Sequence, residues 1–251
     1  MPVEPKIAAT VVLLRERETD SESDDNCKFE VFMVKRHKNA RFMGEHHVFP
    51  GGGIEAQDLT LKSRARIIGP DKEILNTIKE VCEEPFIPWI IAIRELFEET
   101  GILIATKDGD DIIEINKDNC VKFKNYQEDL QKDRVTMTCI LTKENLYYAA
   151  NYLKYFGRLI TPKISPIRFD TQFFLCKFPQ NQKINLFGDE LTEGLWGSPK
   201  ELLRLFRKNK IQIIFPQYTT LKRLKKFKRI QDVFSNSKNG FKIVQVEDFR
   251  F

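Results

Sequence analysis

Three carboxylates crowd one stripe of the stretch Ala92-Ile93-Arg94-Glu95-Leu96-Phe97-Glu98-Glu99-Thr100-Gly101-Ile102. At 100° per residue, Glu95, Glu98 and Glu99 fall within about one quadrant of a helix, whereas Trp89, Ile90, Ile93, Leu96 and Phe97 gather on the opposite side. One face therefore reads as buried and the other as acidic. Arg94 precedes Glu98 at the i,i+4 spacing that lets a guanidinium reach across one turn and fix a carboxylate's rotamer. Gly101 supplies the left-handed cap that stops such a helix. Glutamates on one face are hard oxygen donors suited to Mg²⁺ or Mn²⁺. Without a cation, like charges at i,i+4 cost only about 0.2–0.5 kcal/mol per pair, so the crowding alone does not demand a metal.

The order Arg-Glu-apolar-x-Glu-Glu-x-Gly-apolar resembles the second half of the Nudix box. Phe49-Pro50-Gly51-Gly52-Gly53-Ile54-Glu55-Ala56-Gln57-Asp58 supplies the first half, as Gly52 and then Asp58. The chain thus resembles the Nudix hydrolases, with two departures. The leading carboxylate is Asp58 rather than Glu, and a long insertion separates it from Arg94. A box split in this manner resembles the branch that includes the peroxisomal coenzyme A diphosphatase. Phe42-Met43-Gly44, Ile160-Thr161-Pro162, the run Arg168 to Leu175, and Trp196 with Pro199 and Glu201 agree with that branch. Arg36, Arg41 and Phe49 also keep a spacing found in coenzyme A pyrophosphatases of another Nudix branch, although Glu45 and His37 depart from that pattern.

The resemblance implies an α/β fold, the Nudix α/β/α sandwich with a mixed sheet, elaborated by a helical insertion inside the box and by additional helices. It implies Glu98 and Glu99 as primary ligands of Mg²⁺ or Mn²⁺, Glu95 as a further ligand or acceptor of the attacking water's proton, and the Gly52 carbonyl as completing the shell. Arg94 then orients the glutamates, and the shorter Asp58 weakens any contact of its own with a metal. Glu193, with Glu190 behind it, is the candidate for an acid outside the box. Arg36, Arg41, Gly51 and Phe42 are assigned to substrate, with Phe42 and Met43 as a wall of the cleft. His46 and His47 stand near enough to the glycine turn to touch a phosphate, while Arg168 and Asp170 read as structural.

A diphosphate repels hydroxide, so its hydrolysis benefits from cations that neutralise oxygens and lower the pKa of bound water. The expected activity is metal-dependent cleavage of coenzyme A or acyl-coenzyme A into 3′,5′-ADP and (acyl-)phosphopantetheine. An ADP-ribose or NADH pyrophosphatase is the enzyme alternative. The run Lys222, Arg223, Lys225, Lys226, Lys228, Arg229 within a net charge of +5 raises a third reading, a nucleotide-sensing or RNA-binding module with vestigial catalysis. Leu221, Leu224 and Phe227 recur among those cations, which favours a docked helix with a solvated basic face over a nucleic-acid surface.

The 251 residues suit one elaborated domain over 1–236, with an insertion at 59–88, a helical elaboration at 116–156, a basic terminal helix at about 216–234 and a tail at 237–251. Strands are expected at 6–14, 29–34, 158–161 and 169–178, with a last one beginning at Leu195-Trp196. Helices are expected at 73–84, after Thr142 with Glu144 in its first turn and Gly157 at its end, and from Pro199 through Phe206. Five cysteines without CxxC spacing argue against zinc or a disulfide framework. With no membrane-length apolar run, no signal-peptide pattern and no Ser-Lys-Leu terminus, the expectation is a cytoplasmic protein acting on a small-molecule nucleotide, its oligomeric state left open.

Overall fold

Strands apolar at nearly every position, rather than at alternate ones, are those that a sheet buries on both faces. Residues 8–14, 29–34 and 173–176 have this character. The computed structural model describes residues 3–17, 25–39, 44–70, 72–79, 84–187, 191–236 and 244–245. Along the chain run β1 (Lys6–Glu16), β2 (Phe29–Arg36), β3 (His47–Val48), β4 (Gly51–Gly53), α1 (Leu61–Arg64), β5 (Ile67–Ile68), α2 (Lys72–Lys79) and α3 (Ile87–Thr100). There follow β6 (Ala105–Thr106), α4 (Cys120–Gln131), α5 (Met137–Lys143), β7 (Tyr147–Ala149), β8 (Leu153–Ile160) and β9 (Phe169–Lys177). Last come β10 (Leu191–Gly197), α6 (Pro199–Arg207), α7 (Phe215–Leu224), α8 (Ile230–Ser235) and β11 (Val244–Gln245).

The main sheet has the order β10-β2-β1-β9-β8-β11, with β3 beside β2 and β4 beside β1. β1 runs parallel to β9 and antiparallel to β2 and β4, so the sheet is mixed. Its two faces feed separate cores. Val11 and Leu13, Phe32 and Val34, and Phe174 and Cys176 face a layer containing α3. Val12 and Leu14, Val31 and Met33, and Phe173 and Leu175 face Leu202, Leu203, Leu221, Leu224, Ile230 and Val233 of α6, α7 and α8. The result is the α/β/α sandwich.

A second sheet, β5-β7-β6, lies outside this layer and joins segments far apart in sequence. β5 comes from the insertion and pairs in parallel with β7, which also pairs antiparallel with β6. Ser63 Oγ lies 2.7 Å from Thr138 Oγ1, Arg66 Nη1 donates to the Leu146 carbonyl at 2.9 Å, and the Met137 amide donates to Gln57 Oε1 at 2.9 Å. The insertion is therefore bonded to the segment that follows α4.

Two sequence-level expectations are corrected. The helix expected after Thr142 is absent: α5 begins earlier, where Thr136 caps the Cys139 amide at 3.2 Å, and Glu144 sits at its C-terminal end. Tyr147 to Ala149 and Leu153 to Ile160 are strands instead. The run is rich in tyrosine, which favours pleated structure, and β5 and β6 offer partners that single-sequence periodicity cannot see. Gly157 is not a helix end but the point where the β8–β9 register shifts. The basic terminal helix is also two helices, α7 ending at Leu224 and α8 beginning at Ile230, with tight turns where α7 stops. Beyond Leu224 the chain makes such turns, Lys226 to Arg223 and Phe227 to Leu224.

The remaining differences are of extent. β10 starts at Leu191, before the expected Leu195, and α2 is described to Lys79. Of the expected tail only Val244–Gln245 are described, as β11 beside β8. Cys27, Cys120, Cys139 and Cys176 are free thiols, and Cys82 lies outside the described residues. Among the described residues no helix is long and apolar enough to cross a membrane.

Gly101 ends α3 with φ 70°, its amide donating to the Phe97 carbonyl at 2.8 Å. A Cβ there would lie 3.2 Å from Gln127 Oε1 and 3.3 Å from Asn185 Cβ. Gly101→Ala is expected to lower unfolding free energy by at least about 1–2 kcal/mol, the left-handed penalty alone, in urea melts followed by circular dichroism.

Candidate active site

The glycine turn is held against the sheet by β4, whose Gly51, Gly52 and Gly53 pair with Thr10, Ala9 and Ala8 of β1. Gly51 has φ 154°, and a Cβ there would run into the Ala9 carbonyl and Thr10. A Cβ on Gly52 would overlap the Glu95 carboxylate. Glycine at this position is thus what lets the loop backbone and the acid of α3 approach each other. A 3₁₀ turn, Ala56–Leu59, follows, with the Glu55 amide donating to Asp58 Oδ2 at 2.9 Å.

Asp58 turns inward to Arg94. Arg94 Nε and Nη2 donate to Asp58 Oδ1 and Oδ2 at 2.9 and 3.0 Å, and Nη2 also donates to the Gly53 carbonyl at 2.8 Å. Nη1 faces the other acids: Glu95 at 3.0 Å, Glu98 at 3.1 Å and Glu55 at 3.4 Å. The expected Arg94–Glu98 pair is present, but it is one of several. Arg94 has no exposed side-chain surface and Asp58 retains 1%. The leading carboxylate of the box therefore closes on arginine and does not line the cleft.

Glu55, Glu95 and Glu98 each offer a carboxylate oxygen, and these oxygens lie within 4.8 Å of one another. Burial pushes Glu95 up to about 7, with Arg94 pulling it down and Glu55 pushing it up. Burial likewise raises Glu98 to about 8, Arg94 opposing and Glu95 and Glu55 adding repulsion. Burial and then repulsion from Glu95 hold Glu99 well above the ordinary glutamate range, although the Gly51 N–H and the Arg36 charge draw it back. The Gly51 amide donates to Glu99 Oε2 at 3.0 Å. Hard oxygen donors whose protonation is favoured by mutual repulsion fit a divalent cation, which would replace those protons.

The acids open into a cleft of about 1230 Å³. Arg36, Gly51, Gly52, Gly53, Glu55, Glu95, Glu98 and Glu99 line one part of it. Leu159, Phe169, Phe173, Phe187, Ile213 and Phe215 give it apolar walls. Glu55 was missed by sequence reasoning; its signal was an acid three residues before Asp58 inside the glycine loop. Glu193 is exposed on the edge strand β10, opposite Lys35, and does not line the cleft. Arg41, Phe42, Met43 and Glu190 lie outside the described residues. His46 and His47 do not line the cleft, and His46 Nδ1 contacts the Gly44 carbonyl at 2.8 Å. Arg168 and Asp170 do not pair with each other. Arg168 donates to the carbonyls of Thr161 and Val3, while Asp170 accepts from Arg158 Nε at 2.6 Å.

In α3 only Glu95, Glu98 and Glu99 are not fully buried, so the acidic stripe read from the sequence is the face left open, and the other sides are all covered. One cause is α4, whose Gln127 and Gln131 side chains both donate to the Glu98 carbonyl, near the end of α3 where main-chain acceptors lack helical partners.

A family profile described as the NUDT19 Nudix domain matches residues 76–224. The acyl-coenzyme A diphosphatase NUDT19 of Xenopus laevis is 26% identical over 243 residues, covering 85% of this chain and 64% of that protein. The protein of the same name from Gallus gallus is 24% identical over 249 residues, covering 82% and 64%. The chain thus spans 64% of the length of either relative. A NUDIX hydrolase structure from Alicyclobacillus acidocaldarius superposes with a TM-score of 0.73 at 24% identity, covering 92% of this chain and 96% of that one, so the two share a fold.

Removing Arg94 leaves Asp58 as a buried charge without its partner. Arg94→Met is expected to cost about 3–5 kcal/mol in urea unfolding, and adding Asp58→Leu should recover part of that loss. The raised acids set a pH dependence of their own. Between the ordinary glutamate value of 4.5 and about 8, the metal-free folded chain retains protons that the unfolded chain releases, so its stability falls as pH rises through this window. Melts in EDTA should show that decline, and Mg²⁺ should raise Tm more near pH 8 than near pH 6, because fewer protons then compete with the cation.

Proposed function

The chain belongs to the NUDT19 Nudix domain family, and we propose that it is a divalent-cation-dependent hydrolase of coenzyme A or acyl-coenzyme A, releasing 3′,5′-ADP and (acyl-)phosphopantetheine. The observation that carries the reaction class is the convergence of Glu55, Glu95 and Glu98 in the cleft that the glycine turn also lines. Support for the substrate comes from the relatives named acyl-coenzyme A diphosphatase and from a cleft larger than the roughly 300–1,000 Å³ usual for small-ligand pockets.

On this reading Glu55 and Glu98 of the convergent set would hold Mg²⁺ or Mn²⁺, with the Gly52 carbonyl and with Glu99, which lies outside that set and is included on the family resemblance. When bound, the cation would neutralise diphosphate oxygens and lower the pKa of water at the site. Glu95 takes up the proton of the attacking water: it lines the cleft beside Glu55 and Glu98, and Arg94 holds its carboxylate at 3.0 Å. Arg94 acts through the glutamates: it carries no cleft surface and fixes the Glu95 and Glu98 rotamers while tying the turn to α3. Arg36, lining the cleft with its charge acting on Glu99, is placed to receive a phosphate oxygen.

Hydrolysis of ADP-ribose or NADH would use the same acids and is separated only by substrate. The nucleic-acid reading gains nothing from the site: none of the cations between Lys222 and Arg229 lines the cleft.

Incubation with coenzyme A, ADP-ribose and NADH, each with Mg²⁺ and with EDTA, followed by mass spectrometry, should show metal-dependent 3′,5′-ADP from coenzyme A; cleavage of the other two alone would discard the coenzyme A assignment. Glu95→Gln should lower kcat by about 10²–10⁴ while keeping most of the Mg²⁺-induced rise in Tm. Glu98→Gln should lose both the turnover and that rise, and the opposite pattern would exchange the two roles.

A further inference from the structure

Among the described residues that line the cleft, two are cations, Arg36 and Lys132. Arg36 belongs to the glutamate end, where its charge acts on Glu99. Lys132 arrives from another element, as the residue that ends α4. The charges that bear most strongly on Glu95, Glu98 and Glu99 are those of Arg94, Arg36 and neighbouring acids, not that of Lys132. Its Nζ lies 5.5 Å from the ring centre of Phe187, which also lines the cleft. The carboxylate paired with it, Glu128, is 3.9 Å away at the limit of an ion pair, and the lysine side chain is 46% exposed.

The end of α4 that carries this lysine is held in place relative to the acids. Gln131 Nε2 donates to the carbonyls of both Glu98 and Phe187, and Gln127 Nε2 donates to those of Glu98 and Asn185 at 2.9 and 3.0 Å. The C-terminal end of α4, the backbone at Phe187 and the end of α3 are thereby tied into one unit. The aromatic ring attracts the ammonium, and a compact cation whose paired carboxylate is 3.9 Å away is thereby kept beside the cleft that it lines.

We propose that Lys132 binds a phosphomonoester that the substrate carries apart from its scissile diphosphate, and so makes the chain selective for diphosphates bearing a further phosphate on the ribose. The proposal rests on the hydrolase reading above. A phosphomonoester carries a charge of about −1.5 to −2 at neutral pH and needs a cation of its own. Coenzyme A has this group, separated from the diphosphate by the ribose ring; dephospho-coenzyme A, ADP-ribose and NADH lack it. Lys132 is accordingly a specificity-determining residue, not part of the machinery that breaks the diphosphate.

The test compares coenzyme A with dephospho-coenzyme A on the full chain, Lys132→Met and Lys132→Arg. Loss of a charge-assisted bond should lower kcat/KM of Lys132→Met for coenzyme A by about tenfold or more, chiefly through KM, with dephospho-coenzyme A unchanged and Lys132→Arg largely intact. An equal loss on both substrates would overturn the proposal, since it would place the ammonium on the diphosphate. If the unsubstituted chain cleaves neither compound, the hydrolase reading fails separately, and the subsite is then judged by ligand-induced Tm shifts. 3′,5′-ADP should stabilise the chain more than 5′-AMP does, with the difference gone in Lys132→Met; equal shifts in the unsubstituted chain would overturn the subsite as well.

Discussion

Arg94 has no exposed side-chain surface, yet Asp58, Glu55, Glu95, Glu98 and the Gly53 carbonyl all lie within bonding or ion-pair reach of its guanidinium. Taking such a charge out of water costs several kcal/mol unless partners replace its hydration, and a planar fork can satisfy several acceptors at once. Asp58 takes two of its N–H groups in a bidentate pair and answers its charge. Glu55, Glu95 and Glu98 then share the Nη1 edge without a full counter-charge of their own. One cation among four carboxylates leaves negative charge in surplus, and the residues that carry it line the cleft, whereas Asp58 does not. The arrangement leaves the site's charge answered on its buried side and unanswered on the side that faces the cleft.

The glycine turn and the insertion follow from that centre. Gly52 must lack a side chain for Glu95 to sit where Arg94 holds it, and Gly51 must lack one because β1 lies against it. Between Asp58 and Arg94 the chain departs into α1, β5 and α2 and then returns, and the ion pair is intact across it. Loop-closure entropy grows only logarithmically with length, so a longer excursion weakens such a contact little once its ends are anchored. The anchors are visible in Thr60, Ser63 and Arg66, which bond the insertion to itself and to the segment after α4.

Elements whose burial follows their own periodicity were legible in the sequence. The acidic helix, its Gly101 cap and the central strands β1, β2 and β9 are of this kind, and so is the α6 helix opened by Pro199 with Ser198 as cap. Illegible were features fixed by distant partners. Tyr147 to Tyr155 satisfies a helical pattern as well as a strand pattern, and only the presence of β5, β6 and β9 decides between them. Glu55 stood in plain view inside the glycine loop, but its role depends on the 3₁₀ turn that brings it beside Glu95 and Glu98. Glu193 illustrates the converse: an acid near an aromatic landmark in sequence sits on the exposed edge of the sheet.

The second sheet also bears on the order in which the molecule can be assembled. β5 lies within the split motif, but its parallel partner Tyr148 and the Arg66–Leu146 contact are reached only some eighty positions later. Non-local and parallel pairings are slow to form, because the intervening chain must be ordered before they return any stabilisation. As the chain emerges during synthesis, the acidic helix is complete well before the strand that secures the insertion beside it. The acidic letters of the motif therefore precede, in time as well as in sequence, the scaffold that secures the insertion between its two halves.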